Sequence, residues 1–235
     1  MPDRDLLLVP GDCVLVVGIN LGLDRTLRMS ELVPGHVQRP RSAVVTAGGK
    51  AVNVCRAARV HPVRPRLVAN LPGRLGALVG DLIDGEGHDL RRVPTEGEAR
   101  SSVIVIEDGG RVTVLNEPGP PLTPGDRARL VAAVHEEALG RRIAVMSGSL
   151  PPGASRGLYA DLVDAARRQG CSIVLDAGRQ DLRDALAAGP DVVTPNLGEA
   201  VAVLRGAAHE SVEPDGGTAS ADAIGAAQEL RAAGA

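Results

Sequence analysis

The feature that most constrains this chain is a repeated alternation. Short runs rich in Val and Ile are separated by Ala/Leu/Arg segments whose apolar residues recur at helical spacing. Val14 to Ile19, Leu67 to Asn70, Ile143 to Met146, Ser172 to Asp176 and Asp191 to Thr194 read as buried strands, too uniformly apolar for a sheet with a wet face. Helices are expected at Ala51 to Val60, Leu75 to Ile83, Thr123 to Leu139, Ser155 to Gln169, Asp181 to Ala188, Gly198 to Leu204 and Ser220 to Ala233. Thr123-Pro124-x-Asp126 has the form of a capped helix start with Pro in the first turn, and Gly170 that of a helix stop. Strand–helix–strand units of this length require right-handed crossovers. The expected fold is therefore α/β, a doubly wound, mostly parallel sheet with helices on both faces.

Two stretches break the alternation. Arg25 to Thr46 holds no convincing helix and reads as extended chain around Pro34-Gly35. Ser101 to Ile106 and Arg111 to Leu115 form a hairpin signal around Asp108-Gly109-Gly110. Together they suggest either a small antiparallel sheet serving as a lid, or extra edge strands of the main sheet. At the other end, the helix from Ser220 stops the sequence where the alternation would place a further strand, so part of the expected sheet lies outside these 235 residues.

Composition excludes several classes. A formal charge of −3 gives no electrostatic footprint for nucleic acid. A single Tyr, without Phe or Trp, leaves no stacking platform for bases, so a nucleotide pocket here would have aliphatic walls. Cys13, Cys55 and Cys171 are odd in number and widely spaced, which argues against a disulfide framework or a zinc site. Met1 to Asp5 carries acids where a signal peptide needs bases, and no run reaches the length of a membrane span. A cytoplasmic protein is expected.

Four segments carry chemistry. In Ala47-Gly48-Gly49-Lys50-Ala51-Val52-Asn53, two glycines lead into a helix whose first N–H groups are unpaired. That arrangement brings backbone close to an anion or a sugar hydroxyl, and equally serves as a tight turn. It lacks the Walker A spacing, and no G-x-G-x-x-G follows the first strand. Lys50 is the sole lysine among 26 basic residues. Ser147-Gly148-Ser149-Leu150-Pro151-Pro152-Gly153 follows a strand, at the sheet edge where open α/β folds bind ligands. It is either a set of fixed hydroxyl donors or a rigid connector. Asn196 and Glu199 at a helix start form either a capping box or a site directing waters onto a magnesium ion that carries phosphates. Asp24 is a lone carboxylate soon after the first strand.

In this order the segments resemble the ribokinase-like carbohydrate kinases of the phosphofructokinase-B type, most closely the 1-phosphofructokinase and tagatose-6-phosphate kinase branch. The resemblance runs from Val14 to the last residue. It rests on Gly48-Gly49-Lys50 with Asn53, Asn116-Glu117-Pro118-Gly119-Pro120, Ser147 to Gly153, and Pro195-Asn196 with Glu199. It implies transfer of a phosphoryl group from ATP, with Mg2+, to a hydroxyl of a ketohexose phosphate. The Asn116-to-Pro120 segment favours fructose 1-phosphate, giving fructose 1,6-bisphosphate. By the resemblance Asp24, Gly48, Gly49, Lys50, Asn53, Arg100 and Ser147 hold the sugar phosphate, Arg100 gripping its existing phosphate. Asn196 and Glu199 organise nucleotide and magnesium, Glu199 through water. It also implies one kinase domain over residues 1–235, incomplete at its end, with lid strands at about 25–46 and 100–116 that double as homodimer contacts.

The chain departs from the family pattern at several places. Ala51 stands where Gly is usual, Thr194 where Lys is usual, and His36 falls near the position of the lid lysine. Asp176-Ala177-Gly178-Arg179-Gln180 replaces Asp-Thr-Ser-Gly-Glu. The family's catalytic base belongs to a Gly-Ala-Gly-Asp segment beyond residue 235, so no catalytic residue is assigned. The alternative reading is a truncated relative that at most binds sugar phosphate.

Overall fold

A computed structural model describes residues 8–154, 157–205 and 219–234. In chain order the elements are β1 (Cys13–Gly18), β2 (Gly22–Met29), β3 (Ser42–Gly48), α1 (Lys50–Ala58), β4 (Arg64–Asn70), α2 (Gly73–Gly85), β5 (Asp89–Val93), β6 (Arg100–Glu107) and β7 (Val112–Asn116). They continue with α3 (Pro124–Ala138), β8 (Ile143–Ser147), α4 (Leu158–Arg167), β9 (Ser172–Asp176), α5 (Arg179–Leu186), β10 (Val192–Val193), α6 (Leu197–Arg205) and α7 (Ala219–Ala232).

The main sheet has the order β10-β9-β8-β1-β4-β5, and every pairing in it is parallel. Its two faces bury alternate residues of the same strands, as the pleat demands. On one side Leu15, Val17, Met146, Ile173 and Leu175 pack against α3 to α7 through side chains such as Leu130, Leu162, Leu182 and Leu230. On the other, Val14, Val16, Leu67 and Ala69 meet Val52 and Cys55 of α1 and Val79 and Ile83 of α2. Burial of Cys55 pushes its thiol up to about 12, so it behaves as a small core apolar group.

The strand order reverses at β1, which has β4 on one side and β8 on the other. The crevice outside the carboxyl ends of β1 and β8, at this reversal, is the position at which open α/β sheets bind ligands.

Helix α3 starts as the sequence indicates. Thr123 is its N-cap, Pro124 lies in the first turn, and Asp126 Oδ2 accepts from Thr123 N (2.9 Å) while Thr123 Oγ1 accepts from Asp126 N (3.2 Å). Gly170 has φ 90° after α4. The expected start of α4 at Ser155, like the Met1 to Asp5 segment, lies outside the described residues.

The stretches that break the alternation form a separate four-stranded sheet, β3-β2-β6-β7, rather than further edges of the main one. The expectation of a purely antiparallel sheet is corrected. β2–β3 and β6–β7 are antiparallel, but β2 and β6 run parallel, from Gly22 beside Arg100 to Met29 beside Glu107. Both strands leave the carboxyl edge of the main sheet, β2 just after β1 and β6 just after β5, so both run outward in the same direction.

Candidate active site

A cavity of about 600 Å3 occupies the crevice. Its wall is assembled from the ends of several elements. Asn20 and Leu21 come from the β1–β2 turn, Lys50 from the first turn of α1, Arg100 from the start of β6, Ser147 from the end of β8, and Glu199 from the first turn of α6. Four of the residues expected at the site, Lys50, Arg100, Ser147 and Glu199, are thus brought to one cavity although they lie up to 149 positions apart in sequence.

Asp176 sits at the hub of the polar groups. It ends β9, where a carboxylate closes the apolar run Ile173-Val174-Leu175 at the carboxyl edge. Its Oδ2 accepts from Ser147 Oγ (2.9 Å) and its Oδ1 from Lys50 Nζ (3.2 Å). Lys50 Nζ also lies 3.9 Å from Glu199 Oε1. One cation between two carboxylates leaves the cluster net acidic before any ligand arrives, and half of the Lys50 side chain remains exposed. Gly148 N donates to Asp176 O (3.0 Å), and Tyr159 Oη donates to Gly148 O (2.7 Å), which fixes the Ser147–Ser149 backbone.

Asn196 and Glu199 do form the capping box. Glu199 N donates to Asn196 Oδ1 (2.8 Å) and Asn196 N to Glu199 Oε2 (2.9 Å). Only Glu199 reaches the cavity wall; its second oxygen, Oε1, faces Lys50 and the Cα of Gly178. Asn196 is turned into the cap and does not line the cavity.

Asp24, Gly48, Gly49 and Asn53 do not line it either. They sit where the mixed sheet meets α1, Asp24 on β2, Gly48 at the end of β3, and Gly49 and Asn53 at the start of α1. Asp24 lies against the Cα of Gly48, where any Cβ would overlap its carboxylate. Burial raises the Asp24 pKa, opposed by the charge of Arg100, a hydrogen bond from Ser102 and the charge of Arg56. Gly49 is the N-cap of α1 with φ 122°, a conformation only glycine adopts freely, and it seats beside Leu21. The exposed Asn53 amide accepts at Oδ1 from Arg56 Nη1 (2.9 Å).

Three groups at the site were not singled out from sequence. Asn20 donates through Nδ2 to Pro118 O (3.3 Å) and Ser149 Oγ (3.2 Å), and its own carbonyl accepts from Arg100 Nε (2.9 Å). It ties the Pro118 segment and the Ser149 loop to the end of β1. Asp176 carried a signal, a charge terminating a buried strand. Asp181, whose pKa burial raises, accepts from Leu150 N at 3.3 Å.

Among the described residues no three His, Cys, Asp or Glu side chains gather around a common point. A magnesium ion caged by protein ligands does not fit this site. One carried on phosphates and waters, and faced through water by Glu199 Oε1, does fit, because that oxygen is outside the cap and faces the cavity.

The folded chain is similar to phosphofructokinase-2 from Escherichia coli, solved in complex with fructose-6-phosphate. The TM-score is 0.80 at 27% identity, covering 96% of this chain and 71% of that one. A crevice at the switch point of a doubly wound sheet, flanked by a small second sheet, thus defines a ribokinase-like α/β protein. The model of the pfkB family carbohydrate kinases matches residues 13–235, and the chain belongs to that family. It is 32% identical over 222 residues to a 1-phosphofructokinase of Haloferax volcanii, covering 94% of this chain and 68% of that protein. It is 28% identical over 188 residues to a tagatose-6-phosphate kinase of Staphylococcus epidermidis, covering 79% of this chain. The matched part spans 60% of the length of that relative.

Proposed function

We propose that the protein is a sugar-phosphate kinase that transfers the terminal phosphoryl group of ATP to fructose 1-phosphate, giving fructose 1,6-bisphosphate. The observation that carries this reading is the convergence of Lys50, Arg100, Ser147 and Glu199 on one cavity at the switch point of the sheet. A planar guanidinium with donors left for an anion suits a phosphate already on the substrate, and Arg100 is assigned that role. Ser147, held by Asp176, offers a fixed hydroxyl to the sugar. Asp24, packed on Gly48, and Asn53 in the first turn of α1 are assigned to sugar hydroxyls. Lys50 is assigned to exchange its carboxylate partners for incoming phosphate oxygens.

Magnesium, when carried in on ATP, neutralises phosphate charge; Glu199 Oε1 is the group that would face it through water, with Asn196 holding the Glu199 backbone. The work left to this chain is positioning and exclusion of water. No residue of the 235 is assigned the proton-accepting role, since the sequence contains no Gly-Ala-Gly-Asp segment. The mixed sheet is assigned the part of the lid. Its register places Val44, Thr26, Ile104 and Val114 in one row on one face, followed by the row Ser42, Arg28, Ile106 and Val112. Val44 and Val114 are about half exposed. These exposed valines support homodimer formation through the lid.

A coupled assay of ADP release with Mg-ATP and, in turn, fructose 1-phosphate, fructose 6-phosphate and tagatose 6-phosphate tests the proposal. Turnover highest in kcat/KM with fructose 1-phosphate is expected. Saturable sugar-phosphate binding without turnover would replace it with the binding-only reading, and neither binding nor turnover would overturn both.

A further inference from the structure

We infer that Arg56 is a positioning residue for the sugar side of this site: it sets which way the Asn53 amide faces and holds the end of β3 on which Asp24 packs. The inference rests on the sugar-phosphate reading above for its consequence in binding, and on geometry alone for its structural part.

Arg56 lies one turn beyond Asn53 on α1, on the same side of the helix. Its guanidinium distributes its donors over three partners. Nη1 donates to Asn53 Oδ1 at 2.9 Å and Nη2 to Ala47 O at 2.9 Å, while Nε and Nη2 form a two-pronged contact with Glu86 at 2.8 and 2.6 Å. Glu86 is the residue that closes α2, so the contact bridges two helices. The Arg56 hydrogen bonds and charge hold the Glu86 carboxyl below its ordinary range, and His88 Nε2 stands 3.3 Å from its Oε2.

The chemistry of arginine makes the arrangement directional. A guanidinium has five N–H donors and no acceptor. The oxygen of the Asn53 amide must therefore face it, and the two Nδ2 protons must face away. Turning the amide over would lose a charge-assisted hydrogen bond and set an NH2 group against a cation. Asn53 is thereby held as a donor toward anything that approaches it, which matches the oxygens of a sugar or phosphate. The contact with Ala47 O has a second effect. Ala47 precedes Gly48, whose Cα the Asp24 carboxylate covers, so the same side chain fixes the strand end that seats Asp24. The Arg56 charge also favours the ionised form of Asp24, less than the Arg100 charge does.

A plain stabilising ion pair does not account for this. The Arg56–Glu86 pair, about one-third exposed on both sides, accounts for the contact with Glu86 but not for the donors aimed at Asn53 and Ala47. A lysine would preserve the pair but has a single compact ammonium that cannot serve Glu86, Asn53 and Ala47 together.

The test compares the whole chain with its Arg56→Lys, Glu86→Gln and Asn53→Ala variants in calorimetric titrations with fructose 1-phosphate. It also follows the Asn53 side-chain amide by NMR, its signals identified by their loss in Asn53→Ala. Arg56→Lys is expected to weaken binding about tenfold, the scale of one lost hydrogen bond. Glu86→Gln, which leaves Arg56 in place on a weaker partner, is expected to weaken it about threefold. Asn53→Ala is expected to cost less in the Arg56→Lys background than in wild type, because the two act as a unit. The Asn53 amide signals should shift in Arg56→Lys. Unchanged affinity in both Arg56→Lys and Glu86→Gln, with only the melting temperature lowered, would overturn the inference and leave Arg56 a structural residue. If wild type binds no sugar phosphate, the proposed function fails instead; unshifted Asn53 signals would then still sink the inference, and shifted ones would support its structural part.

Discussion

At the scale of single residues, the site depends on small contacts with little tolerance. Gly48→Ala would put a methyl group into the Asp24 carboxylate, and both sit on paired strands that cannot move independently. Overpacking of this kind is expected to cost about 1–3 kcal/mol of stability in urea unfolding. Sugar-phosphate affinity should fall at the same time by about tenfold or more as Asp24 is displaced. Unchanged affinity in a folded Gly48→Ala protein would remove Asp24 from the binding wall. Glu107 gives a test by pH. Its carboxylate accepts from Arg111 and from Leu32 N (2.7 Å), and these hold its pKa down to about 2 from an ordinary 4.5. Because the folded value is the lower one, its contribution is complete above about pH 4.5 and is lost as pH falls toward 2. The wild-type urea midpoint should therefore drop between pH 5 and pH 3 more steeply than that of Glu107→Gln, on the order of the one carboxylate's linkage. Parallel slopes would show that the Glu107 contacts do not persist in solution.

At the scale of elements, most of the main sheet was legible because its strands are buried on both faces and so are uniformly apolar. Ser172 to Asp176 was read with its observed bounds, and β1, β4, β8 and β10 within a few residues. β5 was missed because it is an edge strand reading Asp-Leu-Arg-Arg-Val. Its charges guard an open edge, Arg92 pairing with Asp81 at 2.9 Å and Arg91 with Glu136 at 3.4 Å. The parallel pairing of β2 with β6 was illegible for another reason. Hairpins announce themselves through local turns, whereas the pairing of strands about 78 residues apart depends on where the main sheet launches them. The same distinction separates the site residues that sequence supplied from those it did not. Lys50 and Glu199 stand in local motifs, while Asn20 acts by tying together two loops that are distant in sequence. The motif logic of α3 can be tested directly. Thr123→Ala removes the hydroxyl that accepts from Asp126 N and is expected to lower stability by about 1 kcal/mol in urea unfolding. A loss of a few tenths or less would mean that Asp126 alone sustains the cap.

At the scale of the whole molecule, one sheet forms the core while the other presents valines to solvent, and the cavity lies where they meet. If the mixed sheet mediates pairing of two copies, Val114→Glu should convert a dimer to a monomer in sedimentation velocity while leaving the melting temperature near that of wild type. A wild-type monomer across the micromolar range would exclude this interface. The central claim is that the cavity receives a sugar phosphate on Arg100. Titration calorimetry of the chain with fructose 1-phosphate, beside the same titration of Arg100→Met, tests that most directly. Saturable one-to-one binding, weakened at least about tenfold in Arg100→Met as a charge-assisted phosphate contact requires, is the expected result. Equal affinity of the two proteins, or no binding by folded wild type, would contradict it.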